Sequence, residues 1–176
     1  MKQLTRSSAP HRGTTSRPRV PGWRRRNAMS STPRFVAQEQ SDSCAIACLR
    51  MILAAQGIER TEQELIDEAG MTPGGLDPEE CAWLAQRYGL RATEQQLDRR
   101  VLFDLIDSYR FPIVFLHRRP IDQENEVHAV VAVRTSGYYV TFLDPLRGQR
   151  RVTIRKFEQA RRLIGQWVIV WEKRKD

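Results

Sequence analysis

The sequence predicts an α+β domain, with N-terminal helices packed on a C-terminal antiparallel sheet. Three observations carry that prediction. Helical signals come first along the chain and strand signals afterwards, so the two element types are segregated and not alternated. The longest apolar runs, Ile113 to Leu116 and Ala129 to Val133, have strand length and fall far short of the roughly 18 residues a spanning helix needs. The chain has 176 residues, 40% of them hydrophobic, and no internal repeat, which leaves room for one ordinary domain.

Charge places the domain boundary. Residues 1–34 hold nine Lys or Arg and no Asp or Glu, although the whole chain carries a net +8. The other 142 residues are left with 20 basic and 21 acidic side chains, a net of −1. Residues 1–33 are therefore read as a disordered basic tail, too poor in apolar groups to offset the entropy of ordering, and residues 34–176 as the folded domain. Nucleic acid is expected as a partner only through tail contacts with phosphates. The tail lacks the apolar stretch of a secretory signal. Its composition resembles an organelle transit peptide, but four prolines by residue 33 and the lack of a clear amphipathic helix weigh against one, and Met29 offers an alternative start. The cysteines, Cys44, Cys48 and Cys81, are odd in number and form no CxxC pair, as expected of a reduced, cytoplasmic protein.

Order begins at Phe35-Val36. A first helix is expected from Cys44 to Gln56, with Ser41, Asp42 and Ser43 as capping types before it and Gly57 as its stop. Thr61-Glu62-Gln63-Glu64 is a capping-box pattern that opens a short helix ending near Gly70. Asp77-Pro78-Glu79-Glu80 joins a cap, a first-turn proline and first-turn acids, and opens a third helix to Tyr88. Residues 90–96 read as a strand, and Asp98 to Tyr109 as a helix with Val101, Leu102, Leu105 and Ile106 on one face. Strands follow at Pro112 to Leu116, Val127 to Arg134, Tyr138 to Leu143, Arg151 to Ile154 and Trp167 to Glu172. Ser136-Gly137 forms a tight hairpin link, and a short helix spans Arg155 to Arg162.

Cys44 stands at the start of an apolar helix, where unpaired N–H groups and the helix dipole favour a thiolate, the attacking species in cysteine hydrolases. A free cysteine is also often a small buried packing residue. Gln38, six residues earlier, carries an amide able to donate to a developing oxyanion, and Gln40 competes for that role. His128 opens a buried strand. The return strand of its hairpin ends in Asp144-Pro145, with residue 128 expected opposite roughly residue 145. Histidine and carboxylate then share one end of the sheet, as a base and its orienting partner must. Of the other histidines, His11 lies in the tail and His117 ends the preceding strand beside Arg118 and Arg119. Cys48 and Cys81 read as packing residues. No matching His pair accompanies Cys44 and Cys48, so no metal site is assigned.

Together these segments form a recognisable set: Gln-x5-Cys-Ala-x-Ala-Cys-Leu-x-Met-Ile, Pro-Ile-Val, His-Ala-Val-Val-Ala-Val and Tyr-Val-Thr-Phe-Leu-Asp-Pro-Leu-x-Gly. The set resembles the bacteriocin-processing peptidases, papain-like cysteine peptidases that cut leader peptides after a double-glycine motif. The resemblance runs from Phe35 to Trp171. It implies a papain-like fold, Cys44 as nucleophile, Gln38 as oxyanion donor, His128 as general base and Asp144 as its partner, with a peptide or protein substrate and no cofactor. That family usually has Gly after the nucleophile, where this chain has Ala45. The charged segment Arg118 to Glu126 is longer than a minimal strand connection, and either shapes the cleft or is a surface insertion. No GxxxxGK[ST] phosphate loop and no membrane span occur in the sequence, so a standalone form is expected.

Two other readings remain open at this level. A deamidase, transglutaminase-like enzyme or isopeptidase keeps the triad but changes the bond or the acceptor. A non-catalytic binding module uses the basic tail and keeps the fold as a platform.

Overall fold

The computed structural model describes residues 31–173; the expectations made for residues 1–30 lie outside them. In chain order the elements are α1 (Cys44–Ala55), α2 (Glu62–Ala69), α3 (Pro78–Arg87), β1 (Leu90–Gln96), α4 (Arg99–Asp107) and β2 (Ile113–His117). Then follow α5 (Arg119–Asp122), β3 (Val127–Ser136), β4 (Tyr139–Asp144), β5 (Gly148–Thr153), α6 (Ile154–Arg162) and β6 (Trp167–Lys173).

Local chemistry accounts for the boundaries. Thr61 and Glu64 close a reciprocal capping box on α2, as do Asp77 and Glu80 on α3, where Pro78 occupies the first turn. Chain reversal after α1 uses Gly57 at φ +79, a left-handed conformation that glycine adopts without a Cβ clash. The start of α1 departs from expectation. Ser43 is its N-cap residue but makes no capping bond, because its hydroxyl donates to the buried carboxylate of Glu62 at 2.5 Å.

The strands form one antiparallel sheet in the order β1-β6-β2-β3-β4-β5. One face packs against α1, α2 and α3: Ile46, Leu49 and Leu53 meet Ile113, Phe115, Ala129, Val131 and Ile169 in a single core. The opposite face carries a second core, in which Leu102 and Ile106 of α4 and Phe157 and Ala160 of α6 meet Val114, Val130, Phe142 and Val168. The helices expected on one side are therefore joined by a second helical layer on the other. Covering both faces explains why β3 reads as a continuous apolar run, Ala129 to Ala132, and not as an alternating one. The edge strand β5 alternates half-buried and exposed residues and carries Arg150 and Arg151. Charged side chains of this kind protect an open edge from pairing with another chain.

The segment Arg118 to Glu126 contains α5, a single helical turn that the sequence did not announce. Helix α1 is apolar nearly all round, with Ala45 to Leu49 and Met51 to Leu53 buried. It crosses behind β3 and brings its N-terminus to the end of the sheet where β3 begins and β4 stops.

Candidate active site

The segment Gln38 to Ser43 is pinned from two sides. The Gln38 N–H donates to the Pro145 carbonyl at 3.1 Å, tying the segment to the end of β4. From α2, the fully buried Glu62 carboxylate accepts the N–H groups of Glu39 at 2.8 Å and Gln40 at 3.0 Å, besides the Ser43 hydroxyl. Arg50 supplies countercharge to Glu62 at 3.4 Å and to Glu39 at 2.7 Å. Cys44 leaves this frame as the first residue of α1, half-buried, amid N–H groups that have no acceptor within the helix. Ala45, behind it, is buried in the core.

Across the cleft His128 is the second residue of β3 and Asp144 closes β4. A shift in register between Ala132 and Arg134 separates the hairpin into two phases. His128 Nε2 and Asp144 Oδ1 lie 2.8 Å apart, with both side chains almost fully buried. Asp144 Oδ1 also accepts the Leu146 N–H at 2.9 Å, and Oδ2 accepts from Arg150 Nη1 at 3.1 Å. Burial works against both charges, but their partners outweigh it. Hydrogen bonds and charge from Asp144 and Cys44 push His128 up to about 9. Bonds from His128, Leu146 and Arg150 hold Asp144 down at about 2. The imidazole is thus charged at neutral pH, beside Cys44 on one side and a carboxylate on the other. Cys48 and Cys81 are fully buried, and burial raises Cys48 well above an ordinary thiol and Cys81 to about 12. Both are inert packing residues.

Cys44 and His128 line a cleft of about 350 Å³. Asp42, Gly74, Gly75 and Leu76 form one wall, while Phe115 and Val127 flank the histidine on the other. A second hollow, about 300 Å³, continues from the same pair towards Ser41, Glu126 and Leu146. The Gly74-Gly75 wall is built by close approach. Gly74 donates its N–H to Asp42 Oδ2 at 2.9 Å, and Gly75 has φ +81. A Cβ at Gly75 would sit 2.3 Å from the Asp42 carbonyl oxygen.

Three of the four residues singled out by sequence, Cys44, His128 and Asp144, converge here. Gln38 stands beside them through its backbone, but its side chain is engaged elsewhere. Its Nε2 donates to the carbonyls of Gln40 at 2.7 Å and Ser41 at 2.8 Å, leaving Oε1 buried without a partner. Gln40 turns to α2, where its Nε2 donates to Gln63. His117 accepts the Arg119 N–H at the end of β2 and lies outside the cleft. Sequence reasoning missed Glu62, Arg150 and the Gly74-Gly75 wall. Gly-Gly after a proline was a visible loop signal, whereas Glu62 read as one more first-turn acid and Arg150 as one of several arginines on an edge strand. Among the described residues, no cluster of three or more His, Cys, Asp or Glu is arranged to hold a metal ion, and no helix is long and apolar enough to cross a membrane.

Comparison with known proteins agrees with this architecture. The model of the peptidase C39 family matches residues 32–173. Among solved structures, the double glycine motif protease from an AMS/PCAT transporter, determined in complex with the leader peptide, is 17% identical with a TM-score of 0.68. That match covers 82% of this chain and 94% of the other. The peptidase domain of Streptococcus ComA, described as a bi-functional ABC transporter involved in a quorum sensing pathway, is 17% identical with a TM-score of 0.67, covering 80% and 98%. A C39-like peptidase from Bacillus anthracis is 19% identical with a TM-score of 0.66, covering 84% and 98%. No curated protein matches this chain. At these identities the structural likeness speaks for the fold, which is papain-like.

Proposed function

The chain belongs to the peptidase C39 family and is a cysteine peptidase, and from that premise we propose that Cys44 is its nucleophile, His128 its general base and acid, and Asp144 the residue that orients His128. The observation that carries this assignment is the buried 2.8 Å bond between His128 Nε2 and Asp144 Oδ1, in a cleft that Cys44 also lines. With Nε2 held by the carboxylate, Nδ1 is the nitrogen left to exchange a proton with the thiol and the leaving amine. The Cys44 thiolate adds to the scissile carbonyl, and the oxygen becomes negative beside the first-turn N–H groups of α1. Protonation of the amine by His128 releases the first product. Water, activated by the same imidazole, then frees the acyl group from Cys44.

Gln38 is the proposed side-chain oxyanion donor. Both its amide hydrogens serve loop carbonyls in the unliganded site, so donation requires substrate to displace one of them. The proposed substrate is a peptide or protein cut after Gly-Gly. A cleft wall of bare backbone at Gly74-Gly75, packed against Asp42, favours residues without side chains next to the scissile bond, and one similar structure holds a leader peptide. The proposed peptidase domain spans residues 34–176, with the basic tail 1–33 separable from it; the family match beginning at residue 32 supports that boundary.

Cleavage of matched peptides that carry Gly-Gly or Ala-Ala before the scissile bond tests this reading. Cutting after Gly-Gly alone, abolished in Cys44→Ala and reduced on the order of a hundredfold in Gln38→Ala, is the expected result. Equal cutting of both peptides would remove the Gly-Gly preference, and full activity in Gln38→Ala would remove the amide from the oxyanion site.

A further inference from the structure

The charged segment between β2 and β3 does more than connect them. On α5, Asp122 accepts from Arg150 of β5 at both carboxylate oxygens, Nη2 to Oδ1 at 2.7 Å and Nη1 to Oδ2 at 2.8 Å. The same Nη1 reaches Asp144 Oδ2 at 3.1 Å. Arg118, itself buried, pairs with Asp122 at 3.2 Å and with Glu124 and Glu126 at the surface. Alternating charges therefore run from the surface acids through Arg118, Asp122 and Arg150 to Asp144 and His128.

A carboxylate held only at Oδ1 could turn about its last torsion, which is broad and soft for aspartate. Arg150 closes that freedom by gripping Oδ2, and the forked bond to Asp122 fixes Arg150 in turn. We propose that Arg150, anchored by Asp122, is a positioning residue that fixes the Asp144 carboxylate against His128 and sets the charge felt by the Cys44–His128 pair. This rests on the assignment of that pair as the reacting groups. The charged or titratable side chains that face Asp144 are His128 on β3, Cys48 on α1 and Arg150 on β5, with Cys44 beyond His128 and with Asp122 and Arg118 of the α5 segment behind Arg150. Asp42, Asp77, Glu80 and Glu126 line the cleft beside the pair.

The test follows Cys44 alkylation by iodoacetamide, read as intact mass, from about pH 4 to about pH 10, with peptide cleavage measured alongside. Arg150→Met removes a cation, so both steps of the alkylation profile move up by about one pH unit. Asp122→Asn removes an anion, and both steps move down. Arg150→Lys keeps the charge but not the fork, so the steps stay in place while kcat falls about tenfold at constant KM. Shifts of opposite sign in the Met and Asn variants cannot come from loosened packing. Profiles that coincide with the wild type, or move together in both variants, overturn the inference. If Arg150→Met does not fold, Asp122→Asn and Arg150→Lys, which both keep the cation, decide it: a downward move in the first and a loss of kcat at an unmoved profile in the second support the inference, and an unmoved Asp122→Asn profile or an unchanged Arg150→Lys kcat overturns it. A wild-type profile indifferent to His128→Ala overturns instead the assignment of the Cys44–His128 pair, and this inference with it.

Discussion

His128 shares Nε2 with Asp144 in a setting almost closed to water, and the carboxylate and Cys44 together lift the imidazole to about 9. Because attack requires the charged pair, activity should persist through neutral pH and fall as the imidazolium loses its proton. The expected kcat/KM profile has an alkaline limb near pH 9, and Asp144→Asn should lower it towards the ordinary histidine value of about 6.5. A limb that stays put in that variant would mean Asp144 does not control His128. At this scale much was legible in the sequence. A cysteine opening an apolar helix, and a hairpin whose two strands begin with His and end with Asp, can be read from spacing alone. Arg150 and Glu62 could not be found that way. Each acts through a partner about 20 or more residues distant, Asp122 in one case and Ser43 in the other, and nothing local marks either side chain as buried or shared.

Among the elements, the loop before α3 bears most directly on specificity. Its wall rests on Asp42, and Gly75 meets both conditions that demand glycine: a positive φ and a contact too close for a Cβ. Gly75→Ala should therefore cost about 2 kcal/mol of stability and raise KM more than it lowers kcat, since the wall moves while the catalytic pair does not. Calorimetry and steady-state kinetics on one preparation check both, and an unchanged KM would show that this wall does not touch substrate. Helix and strand positions were predicted to within a residue or two at most ends because caps, glycine stops and apolar runs are local signals. The exceptions are informative. Ser43 gives up its capping role to bind Glu62, and α5 lies in a segment whose Asp122 is held by Arg150, 28 residues away on β5.

For the molecule as a whole, the sheet is buried on both faces, and the reacting groups sit where α1, the start of β3 and the end of β4 meet. The second helical layer escaped the sequence reading because α4 and α6 look like surface helices until the sheet order is known. Strand β6, last in sequence, lies between β1 and β2, and only that placement brings α4 and α6 over the far face. The buried pair also ties stability to pH. His128 is raised on folding, so its contribution is complete below about 6.5 and is lost as pH rises through about 9. Asp144 is depressed, so its contribution is complete above about 4 and is lost as pH falls through about 2. Tm should accordingly be highest between about pH 4 and about pH 6.5, and the decline on the alkaline side should flatten in His128→Gln. A wild-type maximum above pH 8 would contradict the linkage.

The central claim is that Cys44 is an activated nucleophile paired with His128, and intact-mass labelling with iodoacetamide at about pH 6 tests it most directly. An ordinary thiol, near 8.5, is then almost wholly protonated and slow to react. The account predicts rapid addition of a single label, absent in Cys44→Ala and slowed in His128→Ala, with Cys48 and Cys81 untouched. Slow labelling, or labelling that survives in Cys44→Ala, would contradict it.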